Sequence, residues 1–205
     1  MPVLTHTRPK RVGAGSAWSK PGVIVRGTFG ILALALVARV YADPKARQAR
    51  AEDLKAVYLL NFAQFVEWPT NAFTDVAAPF VIGILGESAF GKNLDEIVAS
   101  ETVHNHKIIV RHYHDVQEVT ACQILFIGPS ESTRLDRIFE TLRGRGILTV
   151  GETDDFSARG GMIRFFIAQN RLHLGVNLET AQAAQLVISS KLLRLADILS
   201  AKREE

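Results

Sequence analysis

A chain of 205 residues with 24 lysines and arginines against 21 aspartates and glutamates carries a formal net charge of +3, and it is long enough for one well-buried domain rather than two. The charge is unevenly placed: residues 1–42 hold six of the basic residues and none of the acidic ones, which leaves residues 43–205 with 18 basic, 21 acidic and a net of −3. The basic excess belongs to the leader, and the remainder lacks the concentrated cationic footprint of a nucleic-acid-binding protein, so no nucleic-acid partner is expected.

Arg8, Lys10, Arg11, Lys20 and Arg26 precede an uncharged run from Gly27 to Ala38, and Val40-Tyr41-Ala42 sets small residues at the two positions a signal peptidase reads. A secretory signal over residues 1–42, cleaved after Ala42, is expected; the apolar run falls short of the ~20 residues a membrane-crossing helix needs. Asp43 to Arg50 is polar, charged and proline-containing, which suits a flexible lead-in to a single domain over residues 51–200. A first helix follows from Ala51 to Glu67. Leu54, Tyr58, Leu59, Phe62, Phe65 and Val66 form its apolar stripe, Lys55, Gln64 and Glu67 fall elsewhere, and Trp68-Pro69 stops it. Such a stripe is expected to pack against a sheet, with a ligand-contacting surface as the alternative.

Phe80 to Leu85 is a continuous apolar run of strand length, the mark of a strand covered on both faces. Ser88 then caps a helix that buries Phe90, Leu94, Ile97 and Val98. Lys107 to Tyr113 reads as a second strand nearer an edge, and Ile124 to Ile127 as a third, closed by Gly128-Pro129. Leu135, Ile138, Phe139 and Leu142 recur at helical steps before Gly144 and Gly146, and Ile147 to Val150 is a fourth strand. This alternation predicts an α/β fold with a mixed, largely parallel sheet flanked by helices. Met162 to Ala168 and Arg171 to Asn177, joined by Gln169-Asn170, predict a C-terminal antiparallel hairpin. Leu178 to Leu199 reads as a terminal helix bent near Ser189-Ser190.

Few residues offer chemistry. Cys122 is the only cysteine and opens an apolar strand, so a buried free thiol is expected. His104, His106, His112 and His114 form two H-x-H pairs, which on one extended strand share a face but stand too far apart for one site, and no cysteine completes a zinc set. Gly86-x-x-x-x-Gly91-Lys92-Asn93 imitates a phosphate-binding loop, yet Asn93 replaces the serine or threonine that would hold magnesium. Glu152, Asp154 and Asp155 form an acidic turn, solvated by default and a weak cation site otherwise. No catalytic residue, metal site or cofactor is expected.

The segment Tyr58 to Pro69, the strand Phe80 to Gly86, Cys122 to Ile127, Ile147 to Val150, Gly160-Gly161-Met162-Ile163, Val176-Asn177-Leu178 and Ile188 to Leu193 form an ordered set. Together they resemble the YfiR-like family of exported bacterial regulators. The resemblance implies a periplasmic, usually dimeric α/β domain that works by binding: it represses an inner-membrane diguanylate cyclase through the cyclase's periplasmic region, lowers cyclic di-GMP and so restrains biofilm growth. It also implies an outer-membrane lipoprotein that can draw the repressor away. Many members carry a cysteine in the first strand that pairs with the one matching Cys122; Gly83 stands there in this chain, so that intramolecular disulfide cannot form. Phe62, Phe65 and Trp68 on the first helix, with Ser189, Ser190 and Lys191 at the C-terminal bend, are the candidate contact surface. The alternative function is a small-molecule sensor, since α/β folds bind ligands at strand ends.

Overall fold

The computed structural model describes residues 44–73, 75, 77–88 and 91–199; the segment read as a signal and Phe90 lie outside them. The helices are α1 (Pro44–Phe65), α2 (Gly91–Val98), α3 (Leu135–Leu142), α4 (Leu178–Ala183) and α5 (Ser190–Leu193). The strands are β1 (Val66–Glu67), β2 (Phe80–Leu85), β3 (Thr102–Val103), β4 (His106–Tyr113), β5 (Ile124–Ile127), β6 (Leu148–Gly151), β7 (Ile163–Ala168), β8 (Arg171–Asn177), β9 (Val187–Ile188) and β10 (Asp197–Leu199). Among these residues no helix is long and apolar enough to cross a membrane.

Ten strands make one large sheet, in the order β10-β8-β7-β6-β5-β2-β4-β3, and a two-stranded ladder of β1 and β9. The central pairs β4–β2, β2–β5, β5–β6 and β6–β7 are parallel. Every residue of β2, β5 and β6 is buried, and for β2 this is the outcome its continuous apolar run predicts. Alternation divides these strands between two layers. Ile82, Ile84, Ile124 and Phe126 join Leu59 and Phe62 of α1 and Leu94 of α2 on one face, whereas Val81, Leu85, Leu125 and Ile127 meet Leu135, Ile138 and Leu142 of α3 on the other. The predicted α/β architecture with helices on both faces is present.

The predicted hairpin forms over β7 and β8, antiparallel from Ile163↔Val176 to Ala168↔Arg171. Gln169 and Asn170 both adopt positive φ, the two-residue turn whose twist matches the strands it joins. Three local expectations fail. Helix α1 starts at Pro44, so the supposed lead-in is helical; proline is at home in a first turn where its missing N–H costs nothing, and the polar residues Lys45, Gln48 and Arg50 simply face water. The same helix ends at Phe65, because Val66 and Glu67 turn into β1 and pair with Ile188 and Val187. The bent terminal helix is instead α4, β9, α5 and β10 in succession: Gln185 sits at positive φ, and the Ser189 hydroxyl accepts from Lys191 N to cap α5. Leu186, Ile188 and Leu192 still reach the core.

Candidate functional site

The side chains that the helical pattern grouped as a contact surface separate in the fold. Phe62 is 0% exposed, with ring centroids 6.2 Å from Tyr58 and 6.0 Å from Phe165. It belongs to the core and presents nothing to a partner. Phe65 and Trp68 are half-buried against that core. Trp68 Nε1 donates to the Gln123 carbonyl at 3.0 Å and its ring meets Phe80 edge-on at 5.0 Å. The β1–β9 ladder does bring the end of α1 to the C-terminal segment, and Ser189 N donates to the Phe65 carbonyl at 2.9 Å. Ser190 and Lys191 are exposed there, close in sequence to Val187 and Leu195, which leave 58% and 67% of their surfaces in water.

Cys122 is buried, and its thiol donates to the Ile124 carbonyl at 2.9 Å. Burial in apolar surroundings pushes this thiol up to about 12, so it is neither a nucleophile nor a metal ligand at neutral pH. A Cβ placed on Gly83 would lie 2.8 Å from Cys122 Sγ, between Tyr113 and Leu125. The two positions that the resemblance links are therefore neighbours across β2 and the start of β5.

The histidines take separate positions. His104 and Asn105 form a positive-φ turn between β3 and β4, so His104 leaves the alternation that put all four on one face. His106 Nδ1 lies 2.6 Å from the Ala78 carbonyl and its ring stacks on Phe73 at 4.3 Å; His112 lies 3.9 Å from Asp95 at the surface. Among the described residues no group of three or more histidine, cysteine, aspartate or glutamate side chains is placed to hold a metal ion.

The phosphate-loop spacing begins at the carboxyl ends of β2 and β5, the place where the connections diverge and ligands of open parallel sheets usually enter. Protein atoms fill it. Gly86 has φ +79°, and a Cβ there would sit 2.5 Å from Ser130 Oγ and 2.7 Å from Glu131 Oε1. Glu131 is buried, with a carboxylate oxygen 2.6 Å from Arg134 Nη2. A carboxylate lodged at that crevice repels a phosphate rather than cradling it.

The acidic turn is not merely solvated. Glu152 pairs with Lys55, which is buried and also reaches Glu52 at 2.9 Å. Burial pulls the Lys55 ammonium down, but the hydrogen bonds it donates to Glu152 and Glu52 outweigh this and the net shift is upward. Asp155 and Asp136 both engage Arg159, at 3.2 and 2.8 Å, and the bond from Arg159 holds the Asp136 carboxyl below its usual range. Asp154 faces Arg164 at 3.6 Å.

Two concavities escape sequence reasoning because each joins segments far apart in the chain. One, of about 550 Å³, lies between α3 and α4, with Phe139, Leu142 and Met162 among its apolar lining and Glu140, Arg143 and Glu179 among its charges. The other, of about 710 Å³, lies between the N-terminal half of α1 and the tip of the β7–β8 hairpin. Among curated proteins no match to the chain is found. A family model described as YfiR/HmsC-like matches residues 52–197, more than half of the chain.

Proposed function

The chain belongs to the YfiR/HmsC-like family, and from that premise we propose that it is a periplasmic regulatory binding protein without catalytic activity. It represses a membrane-bound diguanylate cyclase by binding the cyclase's periplasmic region, and so lowers cyclic di-GMP. Residues 1–42 direct export, residues 51–200 form the regulatory domain, the protein acts as a homodimer, and an outer-membrane lipoprotein competes for it. The observation that carries this proposal is the family match over residues 52–197. It is supported by side chains whose charges are spent on internal ion pairs and by apolar residues left in water near Ser190 and Lys191. Repression through binding requires only that the protein prefer the inactive receptor, and its effect cannot exceed that difference in affinity.

The surface proposed for this contact joins Phe65, Trp68 and Ser189 to the exposed Ser190 and Lys191. The test is crosslinking of the tagged, exported protein in its host, followed by identification of the membrane proteins recovered. Recovery of a diguanylate cyclase with a periplasmic domain is expected; recovery of soluble or outer-membrane proteins alone would overturn the cyclase partnership. The cleft between α3 and α4 favours a second reading, a small-molecule sensor, because its size and mixed lining suit a compact ligand. A thermal-shift screen separates the two: a ligand that raises Tm supports the sensor.

A further inference from the structure

The hairpin β7–β8 projects beyond what packs on it. Strand β10 covers β8 only at Gly175, Val176 and Asn177, so Arg171 to Leu174 keep an outer edge with no strand beside it among the described residues. Alternate residues of such an edge turn amide and carbonyl groups outward, where an incoming strand can pair with them. Next to this edge lies the 710 Å³ groove, bounded by Leu54 and Lys55 of α1 and by Ile167 and Leu172 of the hairpin. Ile167 and Leu172 are register partners, and Ile167 is 60% exposed. Two guanidinium groups, Arg50 and Arg171, also line the groove, and neither has an ion-pair partner among the described residues, whereas Lys55 is taken by Glu52 and Glu152.

We propose that this edge and groove bind an extended peptide strand of a protein partner whose residues alternate between apolar and acidic. The partner's backbone adds to β8 along Arg171 to Leu174, its apolar side chains enter the groove over Ile167 and Leu172 beneath α1, and its carboxylates, turned to the opposite face, meet Arg171. The chain's own β10 follows the same rule one step along the edge. Asp197 is in register with Gly175 and its carboxylate lies 3.6 Å from His173 Nδ1, on the face that Arg171 shares by alternation, while Ile198 turns to the other face. A lipid-like anion matches the charge and the apolar floor but makes no use of the open backbone edge, and this is why a peptide is the occupant.

The inference rests on the reading of the protein as a regulator that acts through a protein partner, and its test is separable from that reading. The full chain is titrated with a short labelled peptide alternating leucine and glutamate, with a lysine-for-glutamate counterpart, and with dodecanoate. Binding of the acidic peptide alone is expected, together with slowed hydrogen exchange at the amides of Arg171 to Leu174. Arg171→Glu weakens it by about fivefold or more, the effect of losing one favourable charge and gaining a repulsive one, and Ile167→Asp weakens it independently. Equal binding of both peptides, no binding, displacement by dodecanoate without edge protection, or protection that rises with protein concentration alone, which would assign the edge to a second copy, each overturns the proposal. Capture of a cyclase by wild type and by the arginine variant alike would sink the groove while leaving the regulatory function; peptide binding with no cyclase captured would do the reverse.

Discussion

The parallel strands β2, β5 and β6 and the C-terminal stretch from β7 to β10, which supplies strands to both the large sheet and the two-stranded ladder, solve opposite problems. The first are buried along their whole length between α1 and α3. The second place Ile167, Val187, Leu195 and Ile198 in water with more than half of each side chain's surface exposed. Burial is concentrated where helices cover both faces of the sheet, and exposed apolar surface is concentrated where cover runs out. A chain that acts by contact needs both, because surface left open for a partner adds nothing to folding until the partner arrives.

Substitutions should separate these regions by size of effect. Phe62→Ala, in the stack with Tyr58 and Phe165, is expected to cost about 3–5 kcal/mol through lost burial and an unfilled cavity, read from urea unfolding. Lys55→Met leaves Glu52 and Glu152 facing one another at a site still partly reached by water; about 2 kcal/mol is expected, with partial recovery on adding Glu152→Met.

The thiol gives a pH test of the buried region. Below pH 9.0, the ordinary value, Cys122 is protonated in both folded and unfolded chains and contributes no slope. Between there and about 12 the unfolded chain releases the proton and the folded chain keeps it, so stability falls with rising pH by up to ~1.4 kcal/mol per unit. Cys122→Ala should remove that component from unfolding measured at pH 8 and pH 10.5, buffer values set at about one unit either side of the ordinary thiol range.

Gly83→Cys places a second thiol beside the first. Loop closure worth about 3–4 kcal/mol is offset by crowding against Tyr113 and Leu125 of about 1–3 kcal/mol. A modest rise in Tm under oxidising conditions is expected, reversed by reductant; the natural chain, with one cysteine, should show no response to reductant in its monomer. The smallest change in stability belongs to the open region. Val187→Lys, whose position faces Glu67 across the β1–β9 ladder, and Leu195→Glu should each shift unfolding by less than about 0.5 kcal/mol, as exposed sites do, yet abolish repression if the C-terminal surface meets the cyclase. A large loss of stability in either would move that side chain from the contact surface to the core.

Sequence alone determined the parts of this protein governed by short-range rules. Unbroken apolar runs marked Phe80–Leu85 as a strand buried on both faces and Ile124–Ile127 as another strand, the polar pair Gln169-Asn170 marked the hairpin, and an ordered set of segments marked the family. Local pattern could not decide where helical periodicity would yield to distant partners. Val66–Glu67 became a strand because Val187–Ile188 lay opposite, and the leucine-rich C-terminal stretch broke at Gln185 and Ser189 to reach the two-stranded ladder and the edge of the large sheet. Nor could it tell that Phe62 would be enclosed while Ile167 stayed open, or that Lys55 would meet Glu152 across 97 residues. Periodicity fixes which side of an element is apolar, but which apolar side is covered depends on what the rest of the chain brings to it.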